Sequence, residues 1–73
     1  MKIELHDFMQ TLLHEQEVVV VDYYNGKVYA KGKARRVAFF LEYNEERLRD
    51  SKIHLIEIDT FNPTTICIHV RRS

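Results

Sequence analysis

The chain has 73 residues, with 11 lysines and arginines against 11 aspartates and glutamates, so its formal net charge is zero. This length predicts one domain over residues 1–73, and zero net charge excludes a protein-wide field that would attract nucleic acid or an anionic membrane. The single cysteine, Cys67, excludes an internal disulfide. No apolar run approaches the roughly 20 residues of a membrane span, and the start lacks a signal-peptide pattern. These two absences favour a cytoplasmic protein. A core this small stabilises a chain weakly, so we also expect a homodimer or larger oligomer.

The first predicted element is an amphipathic helix from about Glu4 to His14. Its apolar side chains follow the spacing of one helical face and are Leu5, Phe8, Met9, Leu12 and Leu13. Glu4 and Asp7 near its start suit the positive end of the helix dipole. We expect this helix to pack on one face of a sheet.

A β-hairpin is predicted next, from about Glu17 to Lys33. Asn25-Gly26 lies between two runs of β-branched and aromatic residues, which is typical of a two-residue type I′ turn. That turn pairs Val20 with Lys31. The inward, apolar face then consists of Val19, Val21, Tyr23, Val28, Ala30 and Gly32. The outward face combines lysines with an apolar stripe of Val18, Val20, Tyr24 and Tyr29. This stripe is either covered by lysine stems or a surface for a partner.

The connection between the two hairpins is harder to interpret. Residues Arg35 to Tyr43 fit either a helix or a strand, and both interpretations stay open. Asn44 with the two glutamates that follow it is typical of a helix start, because Asn caps the first N–H groups and carboxylates suit the positive helix end. A short helix is therefore predicted from about Glu45 to Asp50.

Arg35 and Arg36, with Tyr43 nearby in sequence, are candidate residues for binding an anion. A guanidinium makes forked contacts with phosphate, and an aromatic ring can stack on a base. The alternative is that neighbouring carboxylates balance these arginines in solvent.

A second hairpin is predicted around Asn62-Pro63, because proline cannot donate to a sheet ladder. Its inner pairs are Ile58–Ile66, Ile56–Ile68 and His54–Val70. The opposite face places Ile53, Leu55, Glu57 and Asp59 against Thr65, Cys67, His69 and Arg71. The predicted fold is α+β, with the N-terminal helix packed on a four-stranded antiparallel sheet of two hairpins and a short second helix in the connection.

Spacing and composition favour neither catalysis nor metal binding. His6 and His14 lie too far apart on a helix to share an ion, and His54 falls on the opposite face from His69. Cys67 lies between two isoleucines, which is typical of an inert thiol. We therefore predict a protein that is not an enzyme and that holds no metal and no cofactor.

The stretch EVVVVDYYNGKVYAKGKA after an amphipathic helix resembles small accessory proteins of phages and mobile elements of Gram-positive bacteria. The resemblance covers most of the chain and implies a cytoplasmic protein of a bacterial host, without catalytic residues. It further implies a role in countering host defence, either by binding a protein or by sequestering a nucleotide signal.

The Asn25-Gly26 turn with Gly32 downstream also resembles Sm-like RNA-binding proteins, which gives the alternative, a small-barrel nucleic-acid-binding module. The predicted ligand- or partner-binding residues are Arg35, Arg36, Tyr43, Val18, Val20, Tyr24 and Tyr29. The predicted partners are a second copy of the chain and a protein or nucleotide ligand, whereas zero net charge disfavours nucleic acid and membrane.

Overall fold

The computed structural model describes residues 3–44 and 51–71. The elements in chain order are α1 (Leu5–Met9), β1 (Glu17–Asp22), β2 (Val28–Lys33), α2 (Ala34–Asn44), β3 (Lys52–Ile58) and β4 (Thr65–Arg71). The four strands form one sheet in the order β2-β1-β4-β3. Both hairpins are antiparallel, as predicted. The central strands β1 and β4 are parallel, however, so the fold is α+β with a mixed sheet.

The parallel central pair follows from the helical connection. A crossover through a helix returns the chain so that the next strand runs in the direction of the previous one. Strand β3 therefore runs in the same direction as β2, and β4, antiparallel to β3, runs in the direction of β1. The prediction of a purely antiparallel sheet was wrong because it included a short helix in the connection but did not treat that connection as a crossover.

The two helices differ from their predicted extents. Helix α1 ends at Met9 instead of His14, and the Thr11 hydroxyl and N–H both donate to the Phe8 carbonyl, at 2.7 and 2.9 Å. Helix α2 settles the open interpretation of residues 35–43 in favour of a helix. The short helix predicted over residues 45–50 lies outside the described residues.

The core lies between the two helices and one face of the sheet. Its buried side chains are Leu5, Met9, Val18, Val20, Ala34, Val37, Leu41, Ile53, Ile68 and Val70. Helix α2 follows β2 without a loop, and the Ala34 and Arg35 N–H groups donate to the carbonyls of Gln16 and His14, at 2.7 and 3.2 Å. These bonds fix the start of α2 directly beside the sheet.

The first hairpin does not form the predicted type I′ turn. That turn needs a positive φ at both central residues, and among the described residues only glycines have one, with Gly26 at 73°. The Asp22 carboxylate instead accepts the N–H groups of Tyr24 and Asn25, at 2.8 and 3.1 Å. The Asp22 N–H donates to the Lys27 carbonyl at 2.8 Å, so the loop covers residues 23–26.

A β-bulge at Tyr29 shifts the register of the first hairpin. Val21 pairs with Val28, but Val20 pairs with Ala30, so Tyr29 is the extra residue on β2. The predicted pairing of Val20 with Lys31 was therefore wrong by one residue. A shift of one residue exchanges the two faces of a strand.

The inner and outer faces of this hairpin differ from the prediction accordingly. Val18 and Val20 are fully buried, which corrects their placement on the solvent face. Tyr23 and Val28 are 41% and 53% exposed, which corrects their placement inside. Lys31 is exposed, as expected for an ammonium without a buried partner.

The second hairpin follows the prediction until a bulge near His54. The pairs that agree with the prediction are Ile58–Ile66, Glu57–Cys67, Ile56–Ile68 and Leu55–His69. Beyond the bulge, Ile53 rather than His54 pairs with Val70. The bulge turns Ile53 into the core, where it is fully buried, while Leu55 remains on the outer face.

Candidate functional site

The two edges of the sheet differ in how far they are covered. At the β3 edge, Glu4 forms an antiparallel bridge with Lys52, and the Ile53 N–H donates to the Ile3 carbonyl at 2.9 Å. Among residues 3–44 and 51–71, no strand pairs with the outer side of β2. An edge strand directs backbone N–H and C=O groups away from the sheet and can pair with a further strand. The β2 edge is thus the more accessible of the two.

A cleft of about 290 Å³ lies between β2 and α2. Its lining residues are Tyr29, Ala30 and Lys31 from β2, and Arg36, Val37 and Phe40 from α2. Val37 is buried, and Phe40 is exposed at the margin. The cleft therefore offers apolar and aromatic surface next to an open strand edge. We call the β2 edge together with this cleft the β2–α2 groove.

The groove continues into a larger polar cavity of about 760 Å³. Its lining residues are Glu15, Glu17, Lys31, Gly32, Lys33, Arg35 and Arg36. Four of these side chains are cationic and two are anionic, so this end of the groove is basic although the whole chain is neutral. Lys31 and Arg36 line both cavities.

The basic side chains differ in how far they are neutralised. The Lys33 ammonium lies 2.6 Å from a Glu15 carboxylate oxygen. The hydrogen bond from Lys33 holds the pKa of the Glu15 carboxyl below its ordinary value, and Glu15 raises the pKa of Lys33 in turn. Within the described part of the chain, Lys31 and Arg36 form no ion pair. In that part of the chain, neither of these two cations is neutralised by a carboxylate.

Tyr29 is held at the groove by the bulge and by Asp22. Its hydroxyl donates to Asp22 Oδ2 at 2.6 Å, and the Lys27 ammonium lies 5.7 Å from its ring centroid. The Asp22 carboxylate also accepts the turn N–H groups, so one buried side chain fixes both the turn and the Tyr29 ring. The Tyr29 ring is thus anchored at its hydroxyl end.

The structure brings together three of the residues predicted from sequence. Arg35, Arg36 and Tyr29 all line the groove or its basic extension. Tyr24 lies on the turn, 71% exposed, with the Arg71 guanidinium carbon 5.9 Å from its ring centroid.

The other predicted residues do not contribute to the groove surface. Val18 and Val20 belong to the core, so they cannot contact a partner in the folded protein. Tyr43 lies in α2, and its side chain is outside the described part of the structure. Lys31 and Phe40 were missed, because their role depends on the placement of α2 beside β2.

Comparison with models of protein families, with curated proteins and with solved structures found no match. Neither helix of the described residues has the length and apolar character needed to cross a membrane. The features that bear on function are the β2 edge, which pairs with no further strand among the described residues, and the charged side chains beside it.

Proposed function

We propose that this chain is a non-enzymatic interaction protein that binds an extended, acidic segment of a partner protein in the β2–α2 groove. The observation that supports this most strongly is the β2 edge, which pairs with no further strand among the described residues and lies beside an apolar cleft, Lys31 and Arg36. An extended peptide that adds to a sheet edge gains backbone hydrogen bonds, while its alternate side chains enter neighbouring pockets.

The charges of the groove define the chemistry of this segment. A carboxylate of the partner would lie against the Arg36 guanidinium, which can donate two parallel hydrogen bonds, and a second would approach Lys31. An apolar side chain of the partner would enter the cleft formed by Tyr29, Val37 and Phe40. A partner strand that pairs with the six residues of β2 buries little surface. We therefore expect transient binding with a dissociation constant of about 1–100 μM.

A second copy of the chain is not the proposed occupant of the groove. Lys31 and Arg36 of two copies would face each other, and like charges oppose such pairing. The expected homo-oligomer would therefore form through another surface, and light scattering at high concentration measures it. The phage-type role stays part of the proposal, since a protein that occupies a segment of a host protein blocks that segment.

Nucleotide capture is a second candidate function at the same groove. The cleft combines Tyr29 and Phe40 with Arg36 and Lys31, which are groups that stack on a base and bind phosphate. The small-barrel alternative predicts a closed sheet, whereas the described residues form an open sheet with β2 and β3 at its edges. Thermal shift against mononucleotides and cyclic nucleotides tests nucleotide capture, because a bound ligand raises stability with its concentration.

The proposal is tested with a fluorescently labelled hexapeptide of alternating valine and glutamate, measured by anisotropy at low salt. We expect saturable binding, and roughly 2- to 30-fold weaker binding by the Lys31→Ala/Arg36→Ala double variant, since each of the two lost ion pairs contributes roughly 0.2–1 kcal/mol. Arg71→Ala is the control, because it removes an exposed cation at the end of β4, away from the groove.

Two outcomes would contradict the proposal. One is equal binding by the double variant and the wild-type protein. The other is equal affinity for a hexapeptide with lysine in place of glutamate, which would show that the charges of the groove do not discriminate between acidic and basic peptides. Circular dichroism of each variant verifies that the exposed substitutions leave the fold intact.

A further inference from the structure

Three side chains with metal-binding atoms meet on the face of the sheet opposite the helices. Cys67 and His69 are two apart on β4 and alternate with the buried Ile68 and Val70. Glu57 lies on β3 and pairs directly with Cys67. The thiol, one imidazole nitrogen and one carboxylate oxygen all lie within 4.8 Å of one another. Adjacent antiparallel strands thus place three different donor atoms around one point.

We propose that Glu57, Cys67 and His69 form a binding site for a zinc-class divalent ion. The donor set of thiolate, imidazole and carboxylate is the one that zinc takes in proteins, whereas magnesium and calcium prefer oxygen alone. Three protein ligands leave the fourth tetrahedral position to water or to a ligand from a partner. Zinc binding would release the thiol proton of Cys67 to solvent, because the thiolate is the ligand.

The distance between the Cys67 sulfur and the His69 nitrogen fits a tetrahedral ion. Zinc–sulfur and zinc–nitrogen bonds of about 2.3 and 2.0 Å place the two donors roughly 3.5 Å apart in a tetrahedron. Cys67 Sγ lies 3.5 Å from His69 Nε2. Glu57 Oε1 lies 2.8 Å from the same nitrogen and would move out by about half an ångström to become a ligand. The Glu57 side chain is 53% exposed, which leaves room for this movement.

Neighbouring side chains support the ligand set. The Tyr23 ring lies edge-on to the His69 ring at 6.4 Å and stacks on the His54 ring at 3.7 Å. The Tyr23 contact restricts the His69 ring on one side. Asp59, the residue that follows β3, adds negative charge near Cys67, and this charge favours a bound cation. The site is therefore partly preformed and electrostatically suited to a divalent ion.

A nucleophilic cysteine is the rival interpretation of the same three residues, and the geometry disfavours it. In a catalytic triad the acid orients the imidazole through one nitrogen while the nucleophile uses the other. Here the thiol and the carboxylate both approach Nε2 of His69.

The test is titration of the reduced, metal-free protein with Co²⁺, followed by absorption spectroscopy and then by Zn²⁺ competition. Because Cys67 is the only cysteine, a sulfur-to-cobalt charge-transfer band reports on this site alone. We expect one ion per chain, loss of the band in Cys67→Ser, and at least tenfold weaker binding in His69→Ala and Glu57→Gln. His14→Ala is the control, because His14 is exposed and lies beside α2, on the helix side of the sheet, whereas the cluster lies on the opposite face.

Cobalt binding without the charge-transfer band would overturn the proposal, and so would equal weakening by His14→Ala and His69→Ala. A second measurement does not depend on the variants folding. Zinc should raise the unfolding temperature of the wild-type protein, and the rise should disappear when Cys67 is alkylated beforehand. An equal rise with and without alkylation would also refute the site.

Discussion

Asp22 and Tyr29 are expected to stabilise the first hairpin as a coupled pair. The Tyr29 hydroxyl donates to a carboxylate that also holds two turn N–H groups, and Asp22 is only 9% exposed. A hydrogen bond to a charged group contributes about 1.5–3 kcal/mol. Tyr29→Phe should therefore lower the free energy of unfolding by about 1.5 kcal/mol. This corresponds to a fall of roughly 6–12 °C in the unfolding temperature of a domain this small.

Urea unfolding followed by circular dichroism measures this effect in a double-mutant cycle. Asp22→Asn should destabilise more than Tyr29→Phe, because it also weakens the bonds to the turn N–H groups. The double variant should lose about 1 kcal/mol less than the sum of the single variants. Tyr24→Phe is the control, because the Tyr24 hydroxyl forms no hydrogen bond with the rest of the described residues. Additive losses for Asp22→Asn and Tyr29→Phe would refute the coupling.

Three further predictions concern the register, the turn and a surface ion pair. Ile53→Ala should destabilise the protein by about 2–5 kcal/mol and Leu55→Ala by much less, because the β3 bulge buries only Ile53; equal losses in urea unfolding would contradict this. Gly26→Ala should lose about 1–2 kcal/mol from its positive φ alone, since a Cβ there contacts nothing within 4 Å, and an unchanged urea midpoint would contradict it. Lys33→Gln should raise the pKa of Glu15, measured by NMR titration, because the hydrogen bond from Lys33 lowers this pKa in the wild-type protein. The pair therefore stabilises the fold above the ordinary pKa of Glu15, and this contribution is lost as the pH falls through the lowered pKa.

Local patterns predicted both hairpins, and the register of the second hairpin as far as its bulge, but not the register of the first. Alternation of apolar residues identified both hairpins, and the Ile58–Ile66 pairing was correct. The turn prediction relied on Asn25-Gly26. In the structure the Asp22 carboxylate accepts the N–H groups of Tyr24 and Asn25, and the loop has four residues instead of two. A bulge adds a residue to one strand without a clear mark in the sequence, so the faces of the first hairpin could not be assigned from alternation alone.

The sites depend on contacts between distant parts of the chain. The arginine pair marked one wall of the groove, but Phe40 joins it only because α2 lies beside an edge strand. The cluster of Glu57, Cys67 and His69 depends on contacts between two strands. The predicted pairing already placed Glu57 on the face of Cys67 and His69, but a spacing rule for pairs of histidines does not cover a mixed set of ligands. Ligands that meet across two strands have no fixed spacing in sequence.

The proposed function requires that the β2 edge receives an added strand. Amide chemical shifts of ¹⁵N-labelled protein, recorded during titration with the valine–glutamate hexapeptide, test it residue by residue. We predict that the largest shifts occur from Val28 to Lys33, with side-chain shifts at Arg36, while the β3 edge from Lys52 to Ile58 changes little. Shifts that concentrate on β3, or that are absent at saturating peptide, would contradict it.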